Sequence, residues 1–200
     1  MCPNEQKVAD NWHQARLDHR TRQAESIAAN ALALIAEHGA PALTMAAIAS
    51  AAGMSRQTLY RYYPDVDAVL VGLAELIASH DEHFEAQVTQ LQDPATQLDL
   101  IVQTIIDARG HGQSDSAALR ATLPPQARDV LNRHEGRIQH LLATVLAAGI
   151  NEGLFRHDLE PSADAPLILG LIAGANPGNS ERAVTLVHRV VDRQPEENTT

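Results

Sequence analysis

The chain has one cysteine, Cys2, in 200 residues. That excludes an internal disulfide and leaves too few thiols for a cysteine-rich zinc site. Aromatic residues are also scarce: three Tyr, two Phe and one Trp. Against abundant Ala and Leu, that scarcity favours helix over strand. No stretch approaches ~20 uninterrupted apolar residues, so no membrane span is expected. The first twenty residues lack the apolar run of a signal peptide. There is no internal repeat, no GxSxG, no HExxH, no glycine-rich phosphate loop and no paired acid of clear geometry. A soluble, intracellular protein that is not an enzyme and carries no cofactor or metal is the expectation.

Apolar residues make up 44% of the chain, enough to bury a core. Charge is unevenly spread within a net of −10. Residues 1–63 hold six Lys/Arg (Lys7, Arg16, Arg20, Arg22, Arg56, Arg61) against five Asp/Glu, whereas the remainder holds nine against twenty. A near-neutral head on an acidic body permits a polyanion at one end without demanding it.

Helical periodicity and breakers divide the chain. Residues 1–20 read as a polar, flexible arm, and 195–200 as a tail. A helix from about Thr21 to His38 carries Ile27, Ala31, Leu34 and Ile35 on one face and ends at Gly39 and Pro41. Thr44 caps a second helix, Met45 to Ala52, which Gly53 ends; Ser55 caps a third, Arg56 to about Tyr62, which Pro64 stops. Helices joined across "AGMS" have the organisation of a helix-turn-helix. A long fourth helix from Asp65 to about Leu91 presents Val66, Val69, Leu70, Leu73, Ile77, His80, Phe84, Val88 and Leu91. Further helices are expected at Ala95–Arg109, in a short segment through Leu119, and at Gln126–Ile150, Ser162–Ala175 and Ser180–Arg193, with a polar glycine loop at Gly110–Ser114. Nothing reads as a strand. The fold class is all-α with about nine helices: a head over 21–64 and a body over 65–194.

Three of the six aromatics crowd into "LYRYYP" at the end of the third helix. Gly53 supplies the φ > 0 that the turn needs, and Ala49 lets the two helices cross closely. Ile48, Ala52, Met54, Leu59 and Tyr62 or Tyr63 then point inward. The outward set is Arg56, Gln57, Tyr60 and Arg61, with Thr58 near the helix start. Arg pairs bidentately with guanine and Gln with adenine in the major groove. Thr44 and Ser55 stand at helix N-termini that favour phosphate, and the hydroxyls of Tyr60 and Tyr62 reach backbone oxygens. The alternative is a structural hairpin with no DNA role.

With these residues in place, the chain resembles the TetR family of one-component transcriptional regulators. The resemblance is carried by Ile27, Ala31 and Gly39, then by "TMAAIASAAGMSRQTLYRYYPDVDAVL" from Thr44 to Leu70. It implies a homodimer, a palindromic double-stranded DNA operator, and an all-helical body that takes a small-molecule ligand; most such regulators are repressors. The family often has Lys where Val66 stands, able to contact phosphate. Either operator affinity is reduced here, or the arm (Arg16, His19, Arg20, Arg22) compensates. A helical small-molecule- or protein-binding module whose head does not bind DNA is the alternative function.

In the body, "HDEH" at His80–His83 offers two His at i, i+3 without a further ligand, and reads as partly buried His on an amphipathic helix. His80, Phe84, Arg109, Arg120 and Arg133 are the candidates for contacting a ligand, an anionic one for the arginines; solvated surface is the competing reading. "APLILGLIAGA", with Gly170 and Gly174, and the Ala183, Val187, Val190, Val191 stripe suit a two-fold, four-helix interface through the last two helices.

Overall fold

An Ala- and Leu-rich chain punctuated by Gly and Pro folds as helices between its breakers. The computed structural model describes residues 3–110, 120 and 122–193. The α-helices among them are α1 (Pro3–His38), α2 (Met45–Ala51), α3 (Arg56–Leu59), α4 (Val66–Ala78), α5 (Asp81–Gln90), α6 (Pro94–Gly110), α7 (Pro125–Asn151), α8 (Pro161–Leu171) and α9 (Ser180–Val191). No strand occurs among the described residues; Phe155 and Asp192 form one isolated antiparallel bridge. No helix of the described residues is long and apolar enough to cross a membrane.

These residues form two compact units. The first comprises 3–77 with 120 and 122–131, the second 78–110 with 132–193. In the first, Ile27, Ala28, Ala31 and Ile35 of α1, Ile48 and Ala49 of α2, Leu59 of α3, and Val69, Leu70, Leu73 and Ala74 of α4 are buried. In the second, Val88 of α5, Leu98, Ile101, Val102 and Ile106 of α6, Leu142, Val145 and Leu146 of α7, Ile168 of α8 and Val187 of α9 close around Phe155. The α7 helix ends as its sequence demands. Gly153 adopts φ +74, Leu154 N–H donates to Gly149 O at 2.9 Å and Gly153 N–H to Ile150 O at 3.0 Å.

Three expectations need correcting. First, the helix read as starting near Thr21 starts at Pro3. Pro3 suits a first helical turn, and no Gly or Pro interrupts residues 4–38, so polarity alone did not make this stretch irregular. Second, the long fourth helix breaks at Ser79–His80 into α4 and α5. The apolar residues on either side of the break serve different cores, Val69, Leu70 and Leu73 the first unit's and Val88 the second's. Third, the α9 stripe divides. Ala183, Val187 and Val191 are buried in the second unit's own core, whereas Val190 is 41% exposed. The spacing i, i+4, i+8 marks the inner face, and Val190 lies off it. Residues 111–119 and 194–200 fall outside the described residues, and with them most of the glycine loop, the helix through Leu119 and the tail.

The α9 helix is also fastened by charge. Protonated, His188 donates from Nε2 to Asp99 Oδ1 of α6 at 2.7 Å and from Nδ1 to Asp192 Oδ1 at 2.9 Å. Burial pulls the His188 pKa down, but the hydrogen bonds and charges of Asp192 and Asp99 outweigh it and hold the pKa above its ordinary 6.5. A raised folded-state pKa means stabilisation that is complete below the unfolded value of 6.5 and is lost as pH rises through the folded value. Urea midpoints of the native chain should therefore fall across that window relative to His188→Gln. Parallel pH profiles for the two proteins would contradict the assignment.

Candidate nucleic-acid interface

The geometry of the head begins at Gly53. Its φ of +64 is the left-handed conformation that L side chains rarely adopt. Gly53 N–H donates to Ser50 O at 3.1 Å and Met54 N–H to Ala49 O at 2.9 Å, the 6→1 and 5→2 pair that ends a helix. No atom lies within 4 Å of where a Cβ would stand, so backbone conformation, not space, selects glycine here. Both flanking helices are capped by their own side chains. Thr44 Oγ1 accepts from Ala47 N–H, and Ser55 Oγ from Thr58 N–H, each at 3.1 Å. Ser55 and Thr58 also share a hydroxyl–hydroxyl bond of 2.9 Å.

With Ile48 and Leu59 fully buried, the outward side of α3 is fixed. Arg56, Gln57 and Arg61 are exposed, Tyr60 is 53% exposed, and Thr58 and Tyr62 are half-buried. Thr44 and Ser55 are exposed on the same unit. The α3 helix is shorter than its sequence suggested, ending at Leu59, and Tyr60–Tyr62 continue as hydrogen-bonded turns. Arg20 Nη2 donates to Arg61 O at 3.4 Å, tying α1 to the end of this segment. At the start of α4, Asp65 Oδ1 accepts from Ala68 N–H at 2.8 Å; Val66 is half-buried and Asp67 exposed.

This head has known counterparts. Residues 27–72 match the family model described as "Bacterial regulatory proteins, tetR family". The head is that of the TetR family. Members of the TetR family are transcriptional regulators rather than enzymes. The remaining described residues share the fold of solved TetR-family structures. A TetR-family regulator from Agrobacterium tumefaciens superposes with a TM-score of 0.71 at 18% identity, over 86% of this chain and 99% of that one. FadR from Bacillus subtilis, solved with stearoyl-CoA, gives 0.62 at 19% identity over 81% and 96% of the two chains. AibR, solved with isovaleryl coenzyme A and operator DNA, gives 0.66 at 19% identity over 84% and 97%. At these identities the likeness is one of fold. No curated protein matches the chain by sequence.

The residues singled out for a ligand are distributed differently. His80, Phe84 and Arg133 belong to the second unit and Arg120 to the first. His80, Arg120 and Arg133 are exposed, and Phe84 packs partly buried against the second unit's core. Arg109 is in α6, with its side chain outside the described residues. In "HDEH" the expected burial is inverted. His80 and His83 are exposed, while Asp81 is 5% exposed. Asp81 Oδ1 accepts from His134 Nδ1 of α7 at 2.5 Å, and Arg137 Nη1 stands 4.0 Å from Oδ2. A buried carboxylate requires such partners. No local spacing could have revealed them, because His134 lies 53 residues away.

Removing the second cap tests how the edge is held. Ser55→Ala should destabilise the TetR-family head by about 1 kcal/mol, read by urea denaturation. Replacement without loss would mean that Thr58 N–H finds water equally well.

Proposed function

We propose that this TetR-family chain is a cytoplasmic, ligand-responsive repressor that binds a palindromic operator as a homodimer. The observation that carries the reading is the outward Arg56–Gln57–Tyr60–Arg61 edge on a head closed by Gly53. In it, α3 enters the major groove. Arg56 and Gln57 read base edges, while Thr44, Ser55, Thr58, Tyr60, Arg61 and Tyr62 meet the backbone. Two-fold symmetry then sets half-sites about one helical turn, ~34 Å, apart or a multiple of it.

The dimer reading rests on the second unit. Leu167 is 70% exposed, Leu171 49%, Leu186 40% and Val190 41%, all on α8 and α9. Gly170 and Gly174 have open space where a Cβ would stand, leaving room for a second helix to approach. An open groove of about 340 Å³ between Leu171, Gly174, Arg182 and Leu186 continues this apolar face. The ligand reading draws support from FadR and AibR, solved with acyl-coenzyme A thioesters. Of the residues considered for it, His80, Phe84, Arg109 and Arg133 belong to the second unit. A ligand acts to the extent that it binds the operator-competent and operator-incompetent states with different affinities.

The test begins with a random-sequence duplex pool. The native chain should enrich a palindrome, and Arg56→Ala or Gln57→Ala should then cost ~1–3 kcal/mol on that duplex and little on random DNA. Failure to enrich any duplex would favour a helical small-molecule- or protein-binding module whose head does not bind DNA. Separately, Leu171→Glu should turn a sedimenting dimer into a folded monomer. A dimer that survives it places the interface elsewhere.

A further inference from the structure

One pair of residues in the head goes beyond filling its core. Tyr63 follows Leu59 by one helical turn, and its N–H donates to Leu59 O at 3.0 Å. Its half-buried ring reaches across the first unit, and the hydroxyl donates to Ala24 O of α1 at 3.2 Å. On the way, the ring passes Gly72, inside α4. A Cβ at position 72 would stand 2.7 Å from Tyr63 Cε1 and 2.9 Å from Cζ, with the hydroxyl oxygen nearer still. Real Cβ atoms do not tolerate such contacts, and an aromatic ring cannot flex away from them.

This arrangement is costly as core packing alone. Glycine inside a helix is less favourable than alanine, and a part-buried hydroxyl needs a partner. Tyr63→Phe alone would avoid the second cost and keep the ring that fills the notch at Gly72. Burial, then the charges of Glu75 and Glu25, push the Tyr63 phenol up from its ordinary value of 10.0 and keep it a donor. The hydroxyl therefore links three elements: the end of the α3 segment, α1 and α4. We propose that the Tyr63 hydroxyl, seated in the notch left by Gly72, is a positioning group that locks the end of the recognition helix to α1 and α4 and so sets how sharply the Arg56–Gln57 edge discriminates sequence. The role in discrimination rests on the DNA-binding reading; the lock itself does not.

The two parts are separable by experiment. Using the duplex enriched by the full-length native chain, Tyr63→Phe should lower affinity roughly three- to tenfold, the worth of one hydrogen bond, and leave random-duplex affinity within about twofold. A core residue without a positioning role would leave the ratio of the two affinities unchanged, and that result overturns the discrimination claim. In urea, Gly72→Ala should lower the unfolding midpoint, and Tyr63→Leu/Gly72→Ala should lose less than its two single variants summed, because leucine lacks the Cε1, Cζ and hydroxyl atoms that a Cβ at 72 would meet. Losses that simply add in the double variant overturn the lock. Should Gly72→Ala not fold, a double variant that folds supports the lock, and one that does not fold overturns it. If the native chain enriches no duplex, the DNA-binding reading falls and takes the discrimination claim with it, while the urea cycle still decides the lock.

Discussion

The head depends on one backbone reversal. Between α2 and α3 the chain must turn within a few residues, and it does so by placing Gly53 in the left-handed region, at φ +64. A residue with a Cβ is strained there, by about 1–2 kcal/mol. The turn alone would leave α3 free to rotate. It is held because three further constraints agree with it. Thr44 and Ser55 cap the two helices, Ile48 and Leu59 are fully buried, and Tyr63 and Arg20 bond between the end of the α3 segment and α1. With Leu59 turned inward, Gln57 lies opposite it, and Arg56 and Tyr60 are exposed on its flanks. The outward polar edge is therefore a consequence of how a very small core is closed.

What was legible in the sequence follows from the range of each cause. Caps and turns depend on neighbours a few residues away, and Thr44, Ser55, Gly39 and Gly53 all act where their spacing predicts. Helix existence was equally legible, because Gly and Pro mark its ends. The start of α1 is hidden by polarity, which does not by itself break a helix, whereas the break at Ser79–His80 and the division of the α9 stripe depend on what each face meets. A pattern of apolar residues shows that a face is buried but not in which core. The polar pairs were hidden for the same reason, since His134 and Asp81 are 53 residues apart and His188 and Asp99 are 89 apart.

The second unit shows what those long-range pairs are for. The α9 helix has two apolar surfaces, one buried through Val187 and Val191 and one exposed at Leu186 and Val190. A helix that is apolar on two sides has no intrinsic reason to prefer one orientation. His188 supplies it, because only one rotation brings its ring between Asp99 and Asp192. The bridge of Phe155 with Asp192, reinforced by Arg156 N–H on Val191 O at 2.8 Å, fastens the end of the same helix. Polar specificity thus selects which apolar face is left outside.

Charge then constrains how such a head meets DNA. The chain carries −10 overall, and residues 64–200 hold the whole of that excess. At physiological salt, exposed charges act over only about 8 Å, so the charges nearest α3 matter most to it. The exposed arginines of the head include Arg20, Arg22, Arg56 and Arg61, opposed by Asp67 where the TetR family often places a lysine one residue earlier. Few phosphates can be neutralised by so small a set, and counterion release scales with that number. On the DNA-binding reading, such a head depends more on hydrogen bonds to base edges, which reward geometry rather than charge. A head that relies on geometry in this way gains from every bond that stops α3 from tilting, and the Tyr63 hydroxyl on Ala24 O, seated against Gly72, is such a bond.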